Sequence, residues 1–223
     1  KINPKDPKWE DRDRIVLSKS HACEAMYAVL GEKGFFPKAK FKEFLQFNSM
    51  LQGHVEICTP GAEYSGGSLG QGISFACGLA YSAKLKKKKH KVFCILGDGE
   101  CHEGEVWEAA MFASHYKLDN LYAVVDQNHY CTLGNVDDIM NLEPLEDKWK
   151  SFGWETIYEK YLHVNVTPAA AVEFQHFQNK IIEKINSFFG YQVIHQIIIN
   201  QKFFPKNFFL PNKRSVTDPQ KNW

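Results

Sequence analysis

One stretch constrains this chain more than any other: Val92 to Asn128, VFCILGDGECHEGEVWEAAMFASHYKLDNLYAVVDQN. Its first five residues, Val92 to Leu96, are apolar and read as a buried strand. The strand stops at Gly97-Asp98-Gly99. Val106, Ala109, Ala110, Ala113 and Tyr116 then recur at three- and four-residue steps, the period of a helix. A second apolar run, Leu121 to Val125, predicts another strand, ending at Asp126-Gln127-Asn128. Strand, helix and strand at this length form one βαβ unit, so the two strands run parallel and the fold class is α/β. Ligands of parallel sheets bind beyond the carboxyl ends of the strands.

Asp98 and Asn128 stand at those ends, thirty residues apart. A carboxylate and an amide oxygen at one sheet edge suit a hard cation, Mg2+ or Ca2+. Magnesium often shares such sites with phosphate, and the free N–H groups at the following helix start attract an anion. The same residues also fit a plain Gly-Asp-Gly turn and an asparagine that merely ends a strand.

Ile15 to Leu17 predicts a short strand and Ala22 to Lys33 a helix closed by Gly34. His21 lies at their junction, where it either reaches a ligand or caps its own helix. Phe35 to Gln52 reads as a second helical run, with Phe41, Phe44 and Leu45 on one face. His54 follows in a loop, where an imidazole is suited to proton transfer but is more often a plain surface residue. Ser65-Gly-Gly-Ser-Leu-Gly-Gln-Gly72 is a Gly-rich loop ahead of a helix over Ile73 to Lys84. It can wrap phosphate with backbone N–H groups or serve close helix packing. It matches neither the dinucleotide fingerprint nor the P-loop. The basic run Lys86 to Lys91 reads as a solvated connection. Asp137 to Trp154 reads as a loop and then a helix, with Trp149 and Phe152 facing inward.

GDGECHEGEVWEAAMFASHYKLDNL with Asn128 resembles the thiamine diphosphate motif of transketolases. DRDRIVLSKSHACEAMYAVLGEKGFFP from Asp11, LQGHVE from Leu51, PGAEYSGGSLGQGISFACGLAYSAKL from Pro60 and DDIMNLEPLEDKWKSFGWE from Asp137 match in order. The resemblance covers about residues 3–155 and is nearest to the separate amino-terminal subunit of split transketolases. It implies a three-layer sandwich around a parallel sheet, of the thiamine diphosphate-binding type. It implies Mg2+ (or Ca2+) on Asp98, Asn128 and the main-chain carbonyl of Tyr130. His21, Gly67, Ser68, Leu69, Asp98, Gly99 and Asn128 would meet thiamine diphosphate, with His21 and His54 on the substrate side. Glu103 matches a glutamate that meets the neighbouring protomer, although it is also a favourable acid in the first turn of its helix. The family usually has glycine where this chain has Ser20, a side chain that would crowd the turn. A Ser-Gly-His-x-Gly-Gly segment expected earlier, and the DGHD and KGKG segments expected after Glu155, are not among these residues. A helix over Ala169 to Phe188 and a strand over Gln192 to Ile199 are still expected.

The organisation expected is one diphosphate-binding domain over 1–199 and an irregular tail over 200–223. The resemblance implies transfer of a two-carbon ketol unit between sugar phosphates, active only in an oligomer with a C-terminal pyrimidine-binding partner subunit. The alternative is a non-catalytic structural or regulatory homologue, favoured by the absent segments and by Ser20. A net charge of +1 offers no broad basic face for nucleic acid. No run approaches the length of a membrane span. Six scattered cysteines without a C-x-x-C pair fit a reducing cytoplasm better than a disulfide or zinc framework.

Overall fold

The computed structural model describes residues 1–157, 161–166, 168–189 and 196–201. Its central strand, β2 (Val92–Gly97), lies between β1 (Arg14–Leu17) and β3 (Leu121–Asp126) in a parallel sheet of order β1-β2-β3. Leu17 pairs with Ile95, and Gly97 pairs with Asp126, so all three strands end along one edge. Side chains of a strand alternate between faces, and the two faces of this sheet carry separate cores. On one face, Val16, Val92, Cys94 and Leu96 pack against two helices, α2 (Gln71–Leu85) and α3 (Gly104–His115). These helices present Ile73, Ala76, Cys77, Ala80, Val106, Ala109, Ala110 and Ala113, mostly small residues that let the helices approach closely. On the other face, Leu17 joins Cys23, Met26, Tyr27 and Leu30 of α1 (Cys23–Glu32), with Phe35, Phe36, Leu51 and Val55. Helix, sheet and helix make the expected three-layer α/β arrangement.

Helix α1 ends where Gly34 was expected to close it. Phe35 N–H donates to Leu30 O and Gly34 N–H to Gly31 O, both at 3.0 Å, with φ of +84° at Gly34. This pattern is a Schellman cap, which needs a left-handed residue at that position. The helix expected over Phe35 to Gln52 does not form. Only a 3-10 turn at Lys38–Glu43 appears, and Leu45 and Asn48 take φ of +59° and +61°. The aromatic side chains account for the difference. Phe41 lies over Gly31 and meets Phe36 edge-on at 5.7 Å between ring centroids. That inward packing against α1 overrides the weak local helical period.

After β3 come a small antiparallel pair, β4 (Tyr130–Cys131) and β5 (Gly134–Asn135), then α4 (Val136–Met140) and α5 (Leu145–Ser151). Trp149 is buried and Phe152 is partly so, both against the α3 side of the core, in keeping with their spacing.

The chain divides into two compact units, 1–157 and 158–223. Within the second, β6 (Tyr161–Val166) and β7 (Gln196–Gln201) are parallel and are joined through α6 (Pro168–Phe189). The helix falls as expected. The strand is described only from Gln196, because 192–195 lie outside the described residues. One domain over 1–199 remains a proposal, and residues 202–223 of the expected tail also lie outside the described residues. Among the described residues no helix is long and apolar enough to cross a membrane.

All six cysteines are free: Cys23, Cys77, Cys94 and Cys101 are buried, Cys131 is half-buried and Cys58 is exposed. Burial pushes the Cys77 thiol up to about 11 from an ordinary 9.0. Burial, with the Glu100 and Asp98 carboxylates nearby, pushes Cys101 to about 12. In the unfolded chain these thiols ionise from their ordinary 9.0, whereas the folded chain keeps them protonated to about 11 and 12. The unfolded state then binds fewer protons, so this contribution is complete below pH 9.0 and is lost as pH rises toward 12. Two measurements check this account. A thiol reagent at about pH 8 should modify Cys58 first and the four buried cysteines only after denaturant is added. Urea midpoints should fall as pH is raised across the thiol window. Rapid native modification of Cys94 would contradict the packing described.

Candidate functional site

The site begins where β2 stops. Asp98 is 2% exposed, and its two oxygens face different segments. Oδ1 accepts from Gly99 N–H at 2.8 Å, capping the 3-10 turn Gly99–His102. Oδ2 accepts from His129 N–H at 2.6 Å, in the loop that leaves β3. One buried carboxylate therefore holds the Gly-Asp-Gly turn against the segment carrying Asn128 and Tyr130. Within that segment Asn128 Oδ1 accepts from Tyr130 N–H at 2.9 Å, and Asn128 Nδ2 donates to Asp126 Oδ2 at 3.4 Å. Gly99 has a steric reason to be glycine. A Cβ there would lie 2.7 Å from the Cβ of Cys131, so β4 could not pass so close.

The segments joined here carry the Asp98 carboxylate and the Asn128 amide. Among the described residues no group of three His, Cys, Asp or Glu side chains is placed to hold a metal. A cation at this edge would thus rest on Asp98 and neutral oxygens, since the nearby Asp126 carboxylate is engaged by Lys19 and Asn128. That set fits magnesium or calcium and leaves coordination positions for phosphate oxygens. The Asp98 carboxylate suits such a group. Each carboxylate oxygen keeps acceptor capacity beyond its one N–H partner.

The two predicted histidines come together, at 5.1 Å between ring centroids in an edge-on arrangement. Helix α1 sets this up. The Tyr27 hydroxyl is shared between the carbonyls of Gln52 and His54, at 3.0 and 2.8 Å, and Cys23 Sγ reaches Gly53 O at 3.2 Å. Burial pushes the Tyr27 hydroxyl up to about 12, so it stays a donor at ordinary pH. His21 is exposed and His54 is half-buried, which leaves both imidazoles reachable.

The Gly-rich loop is tied at both ends. Gly66 N–H donates to Val55 O at 2.9 Å, beside His54, and Gly70 N–H donates to Glu100 Oε1 at 2.8 Å. Between the ties, Gly67 faces open space, Ser68 is exposed and Leu69 is half-buried. Ser20 is fully buried beside this loop, its hydroxyl shared between Leu17 O and Ser18 O at 3.3 Å. A Cβ on Gly66 would collide with Ser20 Oγ. The serine expected to crowd the turn therefore occupies space that Gly66 leaves empty.

Glu103 is exposed, caps α3 without a side-chain bond and lies against Gly70. It makes no ion pair among the described residues. Two further residues, which sequence patterns do not single out, belong to this edge. Lys19 Nζ donates to Asp126 Oδ2 at 2.7 Å, linking the ends of β1 and β3. Glu100 is 2% exposed and accepts from Ser18 Oγ, Gly70 N–H and Gly97 N–H. A glutamate directly after a Gly-Asp-Gly turn gives no sequence sign of burial, because two of its partners are 82 and 30 residues away.

The family model described as "Transketolase, thiamine diphosphate binding domain" matches residues 1–185. The chain is 41% identical over 157 residues to one subunit of an apulose-4-phosphate transketolase from Phocaeicola vulgatus, covering 70% of this chain and 56% of that protein. It is 44% identical over 155 residues to one subunit of a 6-deoxy-6-sulfo-D-fructose transketolase from Clostridium sp., covering 69% and 56%. Among solved structures, transketolase from Campylobacter jejuni superposes with a TM-score of 0.65 at 30% identity, covering 89% of this chain and 30% of that one. The chain thus spans little more than half the length of these two relatives and under a third of the solved enzyme.

The Ser20 and Gly66 contact generates a double-mutant prediction. Gly66→Ala alone should destabilise the chain by about 1–3 kcal/mol through overpacking. Adding Ser20→Gly should recover most of that loss, giving a coupling energy above about 0.5 kcal/mol in urea unfolding. Additive effects would show that the two residues do not share this space.

Proposed function

This chain belongs to the transketolase family, and from that premise we propose that it is the diphosphate-binding subunit of a thiamine diphosphate- and magnesium-dependent transketolase. The observation that carries the proposal is the buried Asp98 carboxylate bonded to His129 N–H, which ties the Gly-Asp-Gly turn to the segment that contains Asn128 and Tyr130. In this reading Asp98, Asn128 and the Tyr130 carbonyl hold magnesium, and calcium would satisfy the same oxygens. Gly67, Ser68, Leu69 and Gly99 line the cofactor. Thiamine diphosphate, when bound, supplies the chemistry of carbon–carbon cleavage and formation. The chain's own residues bind, orient and shield. His21 and His54 stand side by side where imidazoles can hold or move a proton on a sugar hydroxyl. The exposed carboxylate of Glu103 is available to a neighbouring protomer.

Two-carbon ketol transfer between sugar phosphates, an oligomer completed by a C-terminal pyrimidine-binding partner subunit, and residence in the cytoplasm all belong to this proposal. The names of relatives that are themselves transketolase subunits support the partner, and six free cysteines support a reducing compartment. Ser20 no longer favours a non-catalytic homologue, since Gly66 makes room for it.

Calorimetric titration of thiamine diphosphate, with and without magnesium and with and without a candidate partner, tests the reading. Binding should require magnesium, and Asp98→Ala should weaken it by at least ~100-fold while the chain stays folded. Unchanged binding in Asp98→Ala would remove this carboxylate from the site, and no binding by the wild-type complex would favour the non-catalytic homologue.

A further inference from the structure

We infer that Glu100 is a positioning residue that fixes the Gly-rich loop relative to the Asp98 turn, and so sets the affinity of the diphosphate site. The inference rests on the cofactor reading above. Glu100 touches no proposed ligand. Its carboxylate instead joins the two segments that would hold one. Oε1 accepts from Gly70 N–H at 2.8 Å, at the end of the loop that carries Gly67, Ser68 and Leu69. Oε2 accepts from Gly97 N–H at 3.0 Å, immediately before Asp98. The Ser18 hydroxyl, just past the end of β1, also donates to Oε1.

The chemistry of this position is specific to a carboxylate. Two main-chain N–H groups point at it from fixed directions, and a carboxylate is acceptor-only. A glutamine has the same size but carries one NH2 group. Turned one way, that group faces Gly70 N–H, and turned the other way it faces Gly97 N–H. Either orientation sets donor against donor in a buried place, so one of the two segments must move. A hydroxyl such as Ser18's can rotate to accept, but a backbone amide cannot. The loss falls on the relative placement of the two segments and not on either apolar core, and it reaches the β1-β2-β3 ladder only at Gly97, the last residue of β2. Groups that orient the ligands of a metal site commonly change its affinity by about 10- to 100-fold when replaced.

The test compares the full chain, together with its partner subunit, as wild type and as Glu100→Gln. Thiamine diphosphate and magnesium binding is followed by calorimetry, amide hydrogen exchange is followed at Gly70 and Gly97, and the unfolding midpoint is measured without ligand. The expected result is a ~10- to 100-fold weaker magnesium-dependent affinity. At least one of the two glycine amides should exchange ~10-fold faster while the amide of Cys94 in β2 keeps its protection. A purely structural role would shift the unfolding midpoint and the Cys94 amide together, and that outcome would overturn the inference. Wild-type affinity in a folded Glu100→Gln chain would overturn it too, leaving the cofactor reading intact. Absence of binding in the wild-type complex would instead overturn the cofactor reading, and this inference with it. If Glu100→Gln does not fold, Ser18→Ala decides. It removes one donor and leaves both amides paired, so a roughly two- to five-fold loss of affinity is expected, and wild-type affinity there would overturn the inference.

Discussion

Two buried carboxylates, Asp98 and Glu100, stand two residues apart at the end of β2, and the edge of the sheet is organised by what they accept. A carboxylate taken out of water costs several kcal/mol unless hydrogen bonds replace the lost hydration. Each of these finds its replacement in backbone N–H groups of segments distant in sequence. Asp98 takes His129 N–H from beyond β3, and Glu100 takes Gly70 N–H from the start of α2. The need to satisfy the charges thus draws three loops to one place. Left unsatisfied, the same charges would make that place the weakest in the fold.

The layers around the sheet make this convergence possible. Helices α2 and α3 face it with alanines, a cysteine and a few β-branched residues, so their backbones come close to β2. Cys77 Sγ lies 3.6 Å from Ala109 O, a measure of how near the two helices run. With the helices drawn in, the loops at their starts are close enough to share one carboxylate. On the opposite face, α1 uses Cys23 and Tyr27 for a second task, holding the carbonyls of Gln52, Gly53 and His54 so that two imidazoles meet.

Charge away from this edge follows ordinary rules. Arg12 is buried and pairs with Glu63, which Arg14 also reaches at 3.5 Å, so the lead-in to β1 is pinned by a shared carboxylate. Burial lowers the Arg12 guanidinium from its usual value, and Glu63 opposes that shift. Exposed pairs such as Lys84 with Asp119 are screened by water and add little.

The βαβ unit at Val92 to Asp126, its parallel direction, the Schellman end of α1 at Gly34 and the edge position of Asp98 were all legible in the sequence. Each depends on local period, local turn chemistry or the chirality of a short connection, which neighbouring residues specify. The Gly-rich loop and the motif order likewise pointed to the right family. The run from Phe35 to Gln52 misled, because its aromatic residues answer to Gly31 and α1 and not to a shared helical face. Glu100 and the Ser20–Gly66 fit were invisible for the same reason. A glutamate after a tight turn reads as solvated, and a serine in place of glycine reads as a clash, until the partner 46 residues further on is found to have no side chain. Local periodicity and turn residues determine which elements form. Which buried charge meets which amide, and which side chain fills which gap, is decided only when those elements pack, since contacts between distant residues leave no period in the chain.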